Sequence, residues 1–247
     1  MAVTSHINAP RWAQSLKDRV GARAGVLRFS CAHLLVALVL LVISAPFVEK
    51  LSFGTAVEAV LLTLVFLSGV LAVGGRRRTL IWAIVLVAPA LTAKWAVHLN
   101  PNIAQEIFIG SGIVFVGFVA FHLFRFILTA PRVNSEVLCA GAATYITLAL
   151  LWAFAYALLA RLDPGAFIFS VPPTDQPMKG FTPIYFSFIT LSTVGYGDIT
   201  PATGSARMLA MTEAVSGTFY VAVVIARLVS LYSTAAPVEA KSNDSAT

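Results

Sequence analysis

Apolar residues run through this chain in blocks of about twenty, near 29–49, 56–74, 79–98, 106–129, 138–160 and 205–233. That is the length an α-helix needs to cross a hydrocarbon core, so the pattern predicts six transmembrane helices. A shorter apolar run, 181–192, measures roughly 18 Å as helix, enough to enter a membrane and too little to cross it. It follows a polar stretch containing Pro164, Pro172, Pro173 and Pro177, and reads as a re-entrant helix between spans five and six.

Composition agrees with this layout. The 247 residues are 58% hydrophobic and 11% charged, too apolar for a water-solvated domain of this size. The net charge of +6 does not make a nucleic-acid surface, because the basic residues lie in short stretches between apolar blocks. Arg11, Lys17, Arg19, Arg23 and Arg28 precede the first span, Arg76, Arg77 and Arg78 follow the second, and Arg132 follows the fourth. The opposite loops hold Lys50 beside Glu49, and Glu106 alone, so the charge bias places both termini in the cytoplasm of a multi-pass protein. The first span is expected to be retained, since the leader is long for a cleaved signal. Residues 1–28 form a basic N-terminus whose Trp12, Leu16 and Val20 fit an amphipathic helix on the inner leaflet, or equally a solvated tail. Cys31 and Cys139 both fall inside apolar runs and read as buried thiols.

Directly after the half-helix come Thr193, Val194, Gly195, Tyr196, Gly197 and Asp198. Glycines at 195 and 197 permit alternate residues to take backbone conformations closed to L-residues, so that successive carbonyls can face one axis. The run resembles the selectivity filter of the potassium channel superfamily, and the aromatic-led Tyr185-Phe186-Ser187-Phe188 before it and Pro201 after it resemble that family's surroundings. The resemblance implies an all-α membrane protein with six transmembrane helices, a re-entrant pore helix and a filter loop between helices five and six, assembled as a homotetramer. It implies potassium as permeant ligand on the carbonyls of Thr193, Val194, Gly195 and Tyr196, with Gly197 completing the filter and Asp198 at its outer mouth. Val194 and the Tyr196 ring are expected to pack outward against the pore helix. One irregular loop at membrane depth must be buried in protein or line water, which a single chain cannot arrange, so closing the ring requires copies.

Some members of the family carry a glutamate four positions before the signature threonine, bonded to the aspartate that ends the motif. This chain has Ile189 there, so Asp198 needs another partner, such as water. Gly217 stands where many relatives bend their inner helix, and is read either as that hinge or as a small residue for close packing. Thr218, Val221, Ile225 and Val229 recur at helical spacing, as a pore lining or as a lipid or helix contact. Glu213 is expected to bond to neighbouring helices and Arg227 to reach the cytoplasmic interface.

The six-span layout resembles voltage-gated members, yet the fourth span carries only Arg125, with His122 one turn earlier. One charge in each of four subunits yields about 9 kcal/mol per 100 mV, roughly a third of what a working sensor supplies, so strong voltage gating is not expected. Glu58 and Lys94 are either an internal pair or, for Lys94, an interfacial cation. The linker 131–137 is short for reaching around a neighbouring subunit, which favours a peripheral domain that is not swapped. The expected organisation is 1–28 leader, 29–129 four-helix peripheral domain, 138–233 pore domain and 234–247 disordered cytoplasmic tail.

The function expected is passive, potassium-selective conduction in a prokaryotic plasma membrane, in contact with membrane lipids and not with nucleic acid. The alternatives are a potassium-uptake transporter component, whose chains usually hold four degenerate loops, and a non-conducting regulatory protein with the same pore fold. No metal-ligand spacing, nucleophile elbow or phosphate loop occurs, so neither an enzyme nor a cofactor is expected.

Overall fold

The computed structural model describes residues 31–48, 51, 53–73, 77–95, 101–170 and 178–235. The leader 1–28, the prolines at 172, 173 and 177, and the tail from 236 onward lie outside the described residues. Among the described residues, six helices are long and apolar enough to cross a membrane: α1 (Cys31–Val48), α2 (Gly54–Val73), α3 (Arg77–Trp95), α4 (Pro101–Thr129), α5 (Ser135–Leu162) and α7 (Gly204–Ala235). Between the last two stands the short α6 (Thr182–Leu191). Helix α4 begins five residues earlier than the apolar block that predicts it, and α7 takes in residues 234 and 235, which were assigned to the tail.

The framework is helical, as expected, with one small addition. Two three-residue strands, β1 (Phe167–Phe169) and β2 (Ile199–Pro201), pair antiparallel, with Phe167 opposite Pro201 and Phe169 opposite Ile199. Each is too short to give an alternating signal, and Pro201 is tolerated because it closes an edge.

Helices α1 to α5 share one core. Phe66 of α2 meets Phe108 and Phe115 of α4 and Phe154 of α5, with centroids at 6.2, 5.2 and 6.5 Å. Phe108 and Phe154 add an edge-on contact at 5.5 Å. Such rings interlock by shape, which matters between helices that lipid solvates as well as they solvate each other. Lys94 of α3 bonds Glu58 of α2 at 3.0 Å and lies 5.1 Å from the Phe108 centroid, so the internal pair forms. Arg161 of α5 pairs with Glu106 of α4 at 3.6 Å.

Only Ala130 to Asn134 separate α4 from α5, and Asn134 caps α5 by accepting from the Val137 N–H at 3.0 Å. A connection this short makes consecutive helices neighbours, and α4 packs along α5 of its own chain. Helix α7 is the opposite case. In its most apolar 18-residue stretch only 11% of residues are buried, against 56% in that of α5, which leaves most of its surface without a partner among the described residues.

Candidate functional site

Helix α6 has ten residues, about 15 Å of rise, with Pro183 in its first turn, where the missing N–H costs nothing. It stands on a second core under the loop, in which Tyr156 of α5, Phe167 of β1 and Phe186 of α6 meet edge to face at 4.8 to 5.8 Å. The C-terminus of α6 unwinds in steps. Thr193 N–H donates to Thr190 O at 2.9 Å, and the Ile189 carbonyl accepts from both Val194 and Gly195, at 2.9 and 3.2 Å.

From there the backbone alternates. Thr193, Gly195 and Gly197 have φ of 58°, 52° and 80°, and no other non-glycine described has positive φ. Val194 and Tyr196 between them therefore lie on the ordinary side. The glycines were legible as permissive positions, but Thr193 is the unforeseen one. A β-branched residue at positive φ is strained, and strain of this kind gathers at functional sites.

The end of the loop is fastened from two sides. Tyr185 of α6 donates its hydroxyl to Asp198 Oδ2 at 2.7 Å. This replaces the water expected as the partner of Asp198, because a phenol one turn earlier on α6 reaches where Ile189 cannot. That hydrogen bond, helped by burial, pushes the Tyr185 phenol up to about 12. Ser170, just past β1, donates its N–H to Asp198 O at 2.8 Å and its hydroxyl to Gly197 O at 3.1 Å.

Val194 and Tyr196 do not pack on α6 within the chain. They are 52% and 71% exposed among the described residues of the single chain.

Helix α7 meets α6 along one stripe. Glu213, fully buried, accepts from Tyr156 of α5 and is bonded to Ser187 of α6, as expected of a carboxyl that ties helices together. Four residues on, Gly217 is buried against the end of α6. A Cβ there would fall well inside contact distance of the Leu191 backbone oxygen and 2.8 Å from its Cδ1. Close packing is thus an observed role of Gly217.

Farther along, Tyr220 donates to Gly141 O at 2.6 Å and Arg227 to Ala130 O at 2.9 Å. The guanidinium engages the backbone end of α4, where a carbonyl beyond the helix terminus needs a donor. Thr218, Val221, Ile225 and Val229 lie on exposed positions of α7, and Val221 and Ile225 also edge an open groove of ≈ 510 Å³ between α5 and α7. On α4, Arg125 is exposed and His122 bonds its own helix at Phe118 O.

Residues 144–234 match the profile of a family described as "Ion channel". Over 67 residues the chain is 37% identical to "Two pore potassium channel c" of Oryza sativa subsp. japonica, a match covering 27% of this chain and 14% of that protein. No solved structure matches. The segment that carries most of α5, all of α6, the 193–198 loop and nearly all of α7 is therefore similar to an ion channel, within a chain whose six long apolar helices make it a multi-pass membrane protein.

Proposed function

We propose that this protein conducts potassium passively through a pore made by four copies, with 193–198 as the selectivity filter and α6 as the pore helix. The observation that carries the reading is the alternation of positive φ at Thr193, Gly195 and Gly197. Alternating left- and right-handed residues turn successive carbonyls toward the same side, which is what a cage replacing the water of a dehydrating cation requires. Thr193, Val194, Gly195 and Tyr196 offer those oxygens.

One loop per chain needs further copies to close a ring. The exposed Val194, Tyr196 and α7 surfaces are the places for them. Helix α7 then lines the inner cavity with Thr218, Val221, Ile225 and Val229, and Gly217 can serve as hinge only while leaving its seat on Leu191. Because α1–α4 share a core with α5 of the same chain, the peripheral helices stay with their own subunit. Voltage has little to pull on, since Arg125 is the sole arginine or lysine of α4 and is exposed.

The test is the reversal potential of the purified full chain in planar bilayers with potassium on one side and sodium on the other. The potential is expected to follow the potassium gradient. A potential that ignores it refutes the reading.

A further inference from the structure

Glu213 is 0% exposed in the middle of a membrane-crossing helix, and no ion pair reaches it among the described residues. An ionised carboxylate in that position is costly, so the hydrogens around it are worth counting. Its Oε2 accepts from the Tyr156 hydroxyl, and its Oε1 is within hydrogen-bond distance of the Ser187 hydroxyl oxygen. The same Ser187 oxygen lies 2.7 Å from the Ala149 carbonyl of α5.

Three contacts need three hydrogens, and the two hydroxyls hold one each. A carbonyl has none to give, so with all three contacts made as hydrogen bonds the Ser187 proton goes to Ala149 O. Tyr156 spends its proton on Oε2. The remaining contact is a hydrogen bond only if Glu213 carries the proton on Oε1 and donates it to Ser187.

We propose that Glu213 is a positioning residue, kept as a neutral carboxylic acid, that fastens α6 to both α5 and α7 and thereby sets where the 193–198 loop stands. The second fastening on the same stripe supports this. Ser187 and Leu191 are one turn apart on α6, and Glu213 and Gly217, which meet them, are one turn apart on α7. Ile189, whose carbonyl accepts from Val194 and Gly195, lies between those two anchors. The other titratable groups facing Glu213 are Tyr156 and Tyr145, both on α5.

The proton is read directly by solid-state NMR of the full chain in liposomes at neutral pH, with ¹³C-labelled glutamate. The carboxyl resonance that disappears in Glu213→Gln is expected at the shift of a protonated acid, and finding it at the shift of a carboxylate overturns the proposal.

The positioning half rests on the proposed ion path and is read from potassium-over-sodium permeability. Glu213→Gln, neutral and of equal span, is expected to keep the ratio within about twofold, whereas Ser187→Ala and Tyr156→Phe lower it about tenfold by leaving a buried polar group unpaired. Unchanged ratios in both hydroxyl variants overturn it, as does a loss in Glu213→Gln equal to theirs. A wild-type chain that conducts no potassium sinks the ion-path reading alone, because the NMR result does not depend on conduction.

Discussion

Gly217→Ala separates the two roles open to that glycine. In a helix interior, alanine is favoured over glycine by about 0.8–1.0 kcal/mol, so a glycine kept only for bending gives a more stable protein when replaced. Packing predicts the reverse. The new methyl would intrude on the Leu191 backbone oxygen and come within 2.8 and 3.1 Å of its Cδ1 and Cγ. The side chain can turn away, but the oxygen belongs to the last residue of α6 and moves only with the helix end that carries the loop. Overpacking of this kind costs about 1–3 kcal/mol, and an immovable backbone partner puts the site in the upper half of that range.

Subtracting the gain in propensity leaves a net loss of about 1–2 kcal/mol, a drop of several degrees in melting temperature. The assay is thermal unfolding of the purified protein in detergent with potassium present. A paired Leu191→Ala substitution is expected to restore only the side-chain part, since the backbone oxygen stays. An alanine variant as stable as wild type, or more so, refutes the reasoning.

Other sites give independent tests. Gly195→Ala meets open space at its Cβ, so only the backbone at φ 52° resists it. The cost is about 1–2 kcal/mol in stability, with loss of potassium preference in flux assays. Tyr185→Phe leaves the Asp198 carboxylate without its phenol donor and is expected to lower stability by about 1–3 kcal/mol. Because the folded phenol is raised from 10.0 to about 12, that difference from wild type is full below pH 10 and fades as pH rises through about 12, as a pH series of melting curves would report. Arg125→Gln removes the only arginine or lysine of α4, and the slope of conductance against voltage is expected to stay unchanged in bilayer recordings. Lys94→Ala costs about 1 kcal/mol or less in thermal unfolding, because the Glu58 side chain beside it is 40% exposed.

The six long apolar helices and the short one between the last two were legible because each rests on length and apolarity alone. Helix α6 spans Thr182–Leu191 inside the expected 181–192. The loop was legible at Gly195 and Gly197, since glycine announces positive φ, and silent at Thr193, whose φ of 58° follows from how α6 unwinds onto Ile189 O. The Asp198–Tyr185 bond was equally hidden, because it needs the loop to turn back along α6 before the two residues meet. Packing of Val194 and Tyr196 was predicted against α6 in a closed ring of copies, and in the single chain both side chains are exposed. Sequence named Glu213 as a bonded residue and left its partners open, for they come from two helices 57 and 26 positions away.

That separation bears on how the protein is made. Contacts between α3 and α4, and between α4 and α5, join neighbours in sequence and can form as each helix leaves the ribosome. The hydroxyls of Tyr156 and Ser187 have no such option, for the carboxyl between them is carried on the last helix described and reaches the membrane after both. Until it arrives, the half-helix has no anchor on its far side and Leu191 has no glycine to rest on. A nascent chain stalled before α7 is thus left with α6 held by its contacts to α5, and the carboxyl that completes the fastening arrives last.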